Sequence, residues 1–485
     1  MNYTILDLQK TKDQYSFVKN LFSPYEIGIP LFESSDKTLE EIYYFRWHTF
    51  CKHIREYPRG YIITEFFPDV PWAGKFNAIS CPAGHHHYEG RWLHDKTYLN
   101  SYTRFWFSED GEPRRYSFWA ADAVWAAAKT SGDFSIAAEV YEGMKQNFFE
   151  WEAEKQVKNG MYYQIDDRDG MEFSIGGSGL RPTINSYMYG DALALSQLAA
   201  RLGKTEDADF FAQKAETIRK DINTKLWDGE AQFYKTANEE TEELVAVREL
   251  VGYVPWYFNI PEKEMDVAWK FLNDERYFYA PYGPTTAERN HSDFMKKFEH
   301  ACLWNGPSWP FATSQTITAL GNLLCNYETD VMCKSDYFRL LKLFASCHYI
   351  AEDGVKRPFI DENLDPFSGI WLARSILREQ FESGIHRERG EDYNHSSFCD
   401  LVLSGLVGVR SREDDRMVID PLFSQEDLEW MCADGILYHG NNLCVLWDKS
   451  GEHYNKGKGF FVFLNGEKIF ESETIVKCEY DLGGK

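Results

Sequence analysis

Residues 169–195, DGMEFSIGGSGLRPTINSYMYGDALAL, hold side by side the two textures from which this chain is built. The first is an acidic, glycine-rich loop. Asp166, Asp167, Asp169 and Glu172 crowd four carboxylates together just before Gly176, Gly177 and Gly179. The second is a helix: from Ile184 to Leu202 apolar residues recur three and four positions apart, and Gly203 stands where a helix stops. The alternation repeats outward in both directions. Asp36–Arg55, Ser117–Ser131, Asp133–Glu154, Glu206–Leu226, Ser314–Tyr327, Ser335–Ile350 and Ser396–Val409 carry helical spacing, and the segments between them are rich in Gly, Pro, Trp and Asp. Roughly twelve helix-plus-loop units of about 30 residues would fill residues 35–415. No sequence repeat stands out, so a conventional solenoid is not expected.

The last 70 or so residues differ in kind. Leu443–Trp447 and Phe460–Leu464 are short apolar runs, and Asn465-Gly466 leads into Lys468–Phe470 as a hairpin turn does. Residues 416–485 therefore read as a small β domain. Residues 1–34, with Pro24 and Pro30, read as an irregular lead or a strand pair.

Composition narrows the function. Among 485 residues, 76 acidic and 52 basic side chains leave a net charge of −24, which repels phosphate backbones and makes nucleic acid a poor partner. The most apolar window, Tyr116 to Ala128, is short and contains Asp122, so no membrane span is expected. Fifteen Trp, 29 Tyr and 35 Phe exceed what a core alone demands, and rings with a polar edge suit the faces of sugars. The ten cysteines show no CxxC spacing and read as reduced thiols. Met1-Asn-Tyr-Thr-Ile has no basic region followed by an apolar run, so the expected compartment is the cytoplasm, or the periplasm after removal of a signal peptide.

Several loops could carry chemistry. A carboxyl of the acidic loop, set beside Met171 and Phe173, would have a raised pKa and could act as a general acid. The loop does not fit calcium-loop spacing, and the glycines follow no strand and lack a GK[ST] ending. Asp361-Glu362-Asn363-Leu364-Asp365-Pro366 is a second acidic loop, and two carboxylates from distant loops are what glycosidic cleavage requires. Trp304-Asn305-Gly306-Pro307-Ser308-Trp309 sets two indoles around a turn, either as a stacking platform or as helix packing. His85-His86-His87 reads as a loop with one functional His at most, because consecutive side chains cannot all face one ion. No metal site is expected. His395 has no serine or cysteine elbow to serve, which leaves it a hydrogen-bonding or packing role.

Four motifs in order, DGMEFSIGGSGLRPTINSYMYGDALAL, WNGPSWPF, IDENLDPFSG and GEDYNHSSFCDLVLSGL, resemble the (α/α)6-barrel, or six-hairpin, glycosidases. These include glycoside hydrolase family 63, the bacterial mannosylglycerate hydrolase-like proteins and, more distantly, the trehalases. YYFRWHTFCKHI, ITEFFPDVPWAG and YHGNNLCVLWDKSGEHYNKGKG extend the likeness over most of the chain. The resemblance implies a mainly α (α/α)6 barrel at 35–415 with the C-terminal β domain at 416–485. It implies an inverting, exo-acting hydrolase of an oligosaccharide or glycoside, of α-glucosidase or α-mannosidase type, needing no cofactor. The family's base motif, E-N-Y-N-P-x-T-G, is matched from Glu362 to Gly369, which implies Glu362 as general base. Its acid is the Asp of G-M-D-N, where this chain has Gly170-Met171-Glu172-Phe173. Glu172 is thus implied as acid, with Asp169 and Asp167 as neighbours that could substitute. The family's Trp-Arg-Gly stands here as Trp304-Asn305-Gly306, leaving Arg181 or Arg91 to supply the arginine. Around the acids the likeness places Trp72, Trp304 and Trp309 as stacking surfaces. Arg91, Trp92, Asp95, Arg181, Asn185, Asn305, Asp392 and His395 are then assigned to sugar hydroxyls. A lyase or epimerase on the same toroid, and a carbohydrate-binding protein without activity, are the competing readings.

Overall fold

A computed structural model of the chain describes residues 3–17, 21–108, 110–352, 354–376 and 389–483. Two short helices, α1 (Leu8–Gln14) and α2 (Pro24–Ile27), precede the main body. The body then runs through α3 (Lys37–Lys52), α4 (Ala83–Gly90), α5 (Thr97–Trp106), α6 (Ala120–Ser131), α7 (Ser135–Lys155), α8 (Pro182–Arg201), α9 (Thr205–Lys225) and α10 (Val254–Tyr257). A 3-10 segment at Lys263–Phe271, α11 (Pro310–Asn326), α12 (Lys334–Ser346) and a final helix at 399–406, π-helical over Leu401–Leu406, complete it.

Burial sorts these elements into two concentric rings. In α8 and α11 apolar and small residues cover the whole circumference, and nearly every side chain is buried. In α9 only Phe211, Ala215, Ile218 and Ile222 are buried, a single stripe at helical spacing, and α7 and α12 show the same one-sided pattern. The inner ring runs α4, α6, α8, α10, α11 and the final helix, each packing on the next, and the outer elements alternate with them along the chain. This is the (α/α)6 barrel that the family resemblance implies, built from the helices that the spacing predicts.

Two residues of the Gly190-Asp191 pair in α8 show how local sequence makes the ring. A Cβ on Gly190 would lie 2.5 Å from the Phe258 ring, so only glycine lets α8 and the α10 region approach this closely. The buried Asp191 carboxylate accepts from the amides of Ala121 (2.9 Å) and Asp122 (3.1 Å), capping α6 from its neighbour. Glu89 does the same across the seam. Its oxygens accept from the amides of Phe398 (3.1 Å), Cys399 (2.9 Å) and Asp400 (2.8 Å), joining the first inner helix to the last.

The C-terminal strands form an antiparallel sheet in the order 31–34, 430–438, 441–448, 459–464, 467–472. The expected hairpin is present, with Asn465 and Gly466 at φ 54° and 85° as a tight turn requires. The N-terminal lead is not a strand pair of its own: Leu31–Ser34 pairs with Met431–Asp434. The buried Asp434 carboxylate also accepts from the amides of Thr4, Ile5 and Leu6, tying the lead to the sheet. No helix among the described residues is long and apolar enough to cross a membrane.

Removing the Glu89 carboxylate leaves three buried amides without an acceptor, each costing about 1–3 kcal/mol. Glu89→Ala is therefore expected to destabilise the fold by at least about 3 kcal/mol, read as a lowered midpoint in chemical denaturation.

Candidate active site

The residues that immediately precede the inner helices converge at one mouth of the barrel. Cys81 lies just ahead of α4, Tyr116 ahead of α6, Glu172 ahead of α8, Trp304 and Trp309 ahead of α11, and His395 ahead of the final helix. With Glu65, Trp72, Arg389 and Tyr393 they line a cavity of about 310 Å³, at the lower end of the range for small-ligand sites, about 300–1,000 Å³.

The acidic loop reaches this mouth through a tight turn. Asp166–Asp169 forms a 3-10 turn and Gly170 takes φ 71°, where a Cβ would lie 2.6 Å from Cys81 Sγ. Met171 N bonds to Asp166 O at 2.9 Å, and Trp304 N bonds to Glu172 O at 3.0 Å. Glu172 is thereby presented to the cavity on a backbone tied to the tryptophan loop. Burial, followed by the nearby carboxylates of Asp167 and Glu362, pushes its pKa up to about 8. At the rim Phe173 and Phe298, 41% and 39% exposed, pack against each other with ring centres 4.8 Å apart.

The second loop is built with equal economy. Asn363 donates to Ala301 O and accepts from Ala373 N, and Asp365 accepts from the amides of Phe367 and Ser368 in a side-chain turn. Leu364 and Ser308 exchange two backbone bonds of 2.9 Å, fixing this loop to the tryptophan loop as well. Between these anchors Glu362 is fully buried. Its Oε2 accepts from the Cys302 thiol at 2.8 Å, and its Oε1 lies 3.1 Å from Arg389 Nε. Cys302 and Arg389 line the cavity, so Glu362 sits directly beneath its wall, and the Arg389 guanidinium lies 4.8 Å from the Trp72 ring centre.

Trp304 and Trp309 stack on each other at 4.5 Å, largely buried, with their edges forming part of the wall. They are both packing residues and cavity lining, which joins the two readings that the sequence leaves open. The Trp304 Nε1 has no partner among the described residues. His395 is buried at the floor, its nitrogens near the Glu362 and Tyr393 backbones but in no well-formed bond. Burial, with Arg46 and His85 nearby, lowers its pKa well below the usual histidine range, so the ring is neutral.

Other expected site residues lie elsewhere. Asp169 and Arg181 are fully buried partners at 2.7 Å, joined by Thr183, and hold the loop beneath α8. Asn185 bonds to Tyr162 backbone atoms. Arg91 and Trp92 both bond to Asp400 within the ring, and Arg91 faces the opposite mouth. Asp95 is exposed and caps Thr97, Asn305 ties down the carbonyls of Asp293 and Lys296, and Asp392 pairs with Lys52 at 2.6 Å. The three consecutive histidines are not in a loop. They lie in α4, buried, bonded to Ser397, to Tyr102 with Asn394, and to Ala83 with Thr103. The glycine stretch cradles nothing phosphate-like: Gly176 N bonds to the Glu249 carboxylate.

The cavity residues that escaped sequence reasoning include Glu65, Cys302, Arg389 and Tyr393. Glu65 lies within ITEFFPDVPWAG and accepts from the Tyr393 hydroxyl. Its pKa is pushed up to about 8 by burial and by Glu362 and Glu172, although the Tyr393 bond opposes this.

Residues 75–396 match the family model for the mannosylglycerate hydrolase MGH1-like glycoside hydrolase domain. A solved structure named Sialidase is 38% identical, with a TM-score of 0.91 over 100% of this chain and 45% of its own. The present chain thus spans less than half of that protein's length. The GH63 mannosylglycerate hydrolase from Thermus thermophilus, in complex with glucose, is 12% identical, with a TM-score of 0.50 over 74% of this chain and 98% of its own. The GH78 family rhamnosidase of Bacillus sp. GL1 is 12% identical, with a TM-score of 0.52 over 86% of this chain and 40% of its own. These two distant likenesses concern the fold. By the match over residues 75–396, the chain belongs to the MGH1-like glycoside hydrolase family.

Proposed function

We propose that the chain is an inverting, exo-acting glycosidase that releases one terminal neutral sugar, with Glu172 as general acid and Glu362 as general base. The observation that carries this reading is that two carboxylates from distant loops meet at one small cavity in unlike surroundings, Glu172 in its lining and Glu362 beneath its wall. Glu172 is held protonated at neutral pH by burial and neighbouring carboxylates, as a group that must deliver a proton to a leaving oxygen should be. Glu362 has a guanidinium at 3.1 Å as counter-charge for its ionised form. Movement of the Arg389 side chain off Glu362 would open this carboxylate to a water on the opposite face of the sugar.

The floor suits hydroxyl groups. Trp304 Nε1 and the His395 nitrogens offer polar atoms that the protein leaves unbonded or poorly bonded, and Trp72, Trp304 and Trp309 supply aromatic surface for a pyranose. A cavity of about 310 Å³ has room for one ring rather than a chain. A sialic acid would bring a carboxylate into a site whose two arginines are already engaged, Arg168 by Asp167 at 3.5 Å and Arg389 by Glu362 at 3.1 Å. The charge balance therefore favours a neutral sugar, even with a sialidase-named relative at 38% identity.

Incubation with neutral aryl glycosides, natural oligosaccharides and sialosides, followed by NMR, tests the reading. One neutral sugar should be released with inverted configuration; retained configuration or release of sialic acid alone would overturn it. Glu172→Gln should lose about 10²–10⁴-fold in kcat/KM for alkyl leaving groups but far less for dinitrophenyl glycosides, which depart without a proton. Glu362→Gln should lose comparably on both. Because the acid works protonated, kcat/KM should fall as pH rises through about 8, and this alkaline limb should vanish in Glu172→Gln.

A further inference from the structure

The opposite mouth of the barrel holds a second cavity, of about 470 Å³, between the C-terminal halves of α6, α8 and α11, the final helix and the start of the β region. Its electrostatics invert those of the catalytic mouth. Most of its acids are already matched. Asp400 accepts from Arg91 at 2.7 and 2.8 Å and from Trp92 at 2.7 Å. Asp420 pairs with Lys334 at 2.7 Å, and Glu479 with Lys477 at 2.7 Å.

Three cations are left over. Lys129 extends from α6 into the cavity, and its ammonium has no hydrogen bond or ion pair among the described residues. Arg410 touches Cys325 Sγ through one nitrogen, while its buried Nε has no partner among them. Arg416 stands at the rim without an ion pair among the described residues. Facing them are two carboxylates not matched by an ion pair among the described residues: Asp122, which accepts from the Tyr88 hydroxyl at 2.7 Å, and Glu413, whose charge also reaches Lys129. A chain of net charge −24 thus gathers an excess of positive charge in an enclosed basin. Unpaired cations in a part-desolvated site are costly, and burial lowers the pKa of Lys129 despite the Asp122 charge. An anion there would relieve that cost. Around the cations stand groups for hydroxyls. Gln197 accepts from Trp125 Nε1 at 2.7 Å and keeps its amide NH₂ as a donor, and Asp122 retains acceptor capacity.

We propose that this cavity binds a small hydroxylated anion, a phosphorylated or carboxylated sugar, at a site separate from the catalytic mouth and held by Lys129 and Arg410. The site does not depend on the roles assigned to Glu172 and Glu362.

Calorimetric titration of the full chain carrying Glu172→Gln, which prevents turnover, tests this with four probes: inorganic phosphate, glucose 6-phosphate, glucuronate and glucose. At least one anionic probe should saturate a single site, and the preference between phosphate and carboxylate probes identifies the anion. Lys129→Met and Arg410→Met should each weaken that binding by about tenfold or more, while Lys129→Arg restores most of it and Trp304→Ala leaves it unchanged. Circular dichroism melts of each variant separate lost binding from lost folding, and Lys129→Gln replaces Lys129→Met if the latter unfolds. Absence of saturable binding for all three anions at millimolar concentration, or binding that survives both cation substitutions, overturns the proposal.

Discussion

Both carboxylate oxygens of Glu89, near the end of α4, are directed at the amides of Phe398, Cys399 and Asp400, where the final inner helix begins. A toroid of helices needs such a contact because its first and last elements are far apart in sequence, and ring closure carries an entropic cost that grows with the chain enclosed. A helix start carries unsatisfied amides and a partial positive charge, so a buried carboxylate is a strong and directional closure. His85 on Ser397, His86 on Asn394 and Arg91 on Asp400 line the same seam. Arg389, Tyr393 and His395 reach the cavity beside Glu172 because this seam is shut.

The inner helices all run in one sense, so one mouth of the ring collects their starts and the other their ends. The loops at the starting mouth carry the carboxylates Glu65, Glu172 and Glu362. The ending mouth has Lys129, Arg410 and Arg416. One architecture thereby presents two cavities of opposite character, acidic groups at the helix starts and basic groups at the helix ends.

The helical body was legible in the sequence because periodicity is a local property: Ile184–Leu202 and Glu206–Leu226 announce helices, and they fall at 182–201 and 205–225. The family likeness to a GH63-type six-hairpin glycosidase was legible for a similar reason, since short motifs carried it. Glu172 and Glu362 were nameable because each sits in a loop whose turn residues, Gly170 or Asn363 and Asp365, are part of the motif. What was not legible depends on closure. Arg389 and Cys302 meet Glu362 across large sequence separations, and Glu65 meets Tyr393 only once both ends of the barrel come together. Arg91, Trp92, Asp95, Asn185 and Asp392 follow from residue type within the likeness, and type does not say which way a side chain points. The histidine triplet reads as a loop because three polar residues in a row suggest solvent, whereas each finds a buried partner in α4.

The bonds from Trp304 N to Glu172 O and between Ser308 and Leu364 join three loops in series: the one bearing Glu172, the one bearing the tryptophans and the one bearing Glu362. All of these bonds are main chain to main chain. The spacing of the two carboxyl groups, on which the stereochemical course of glycoside cleavage depends, is accordingly a property of the backbone scaffold. The shape of the cavity belongs instead to side chains such as Trp72, Tyr116 and Phe311. Under the proposed assignment of Glu172 and Glu362, specificity and stereochemistry reside in separate layers of the same loops, and drift in the first is insulated from the second.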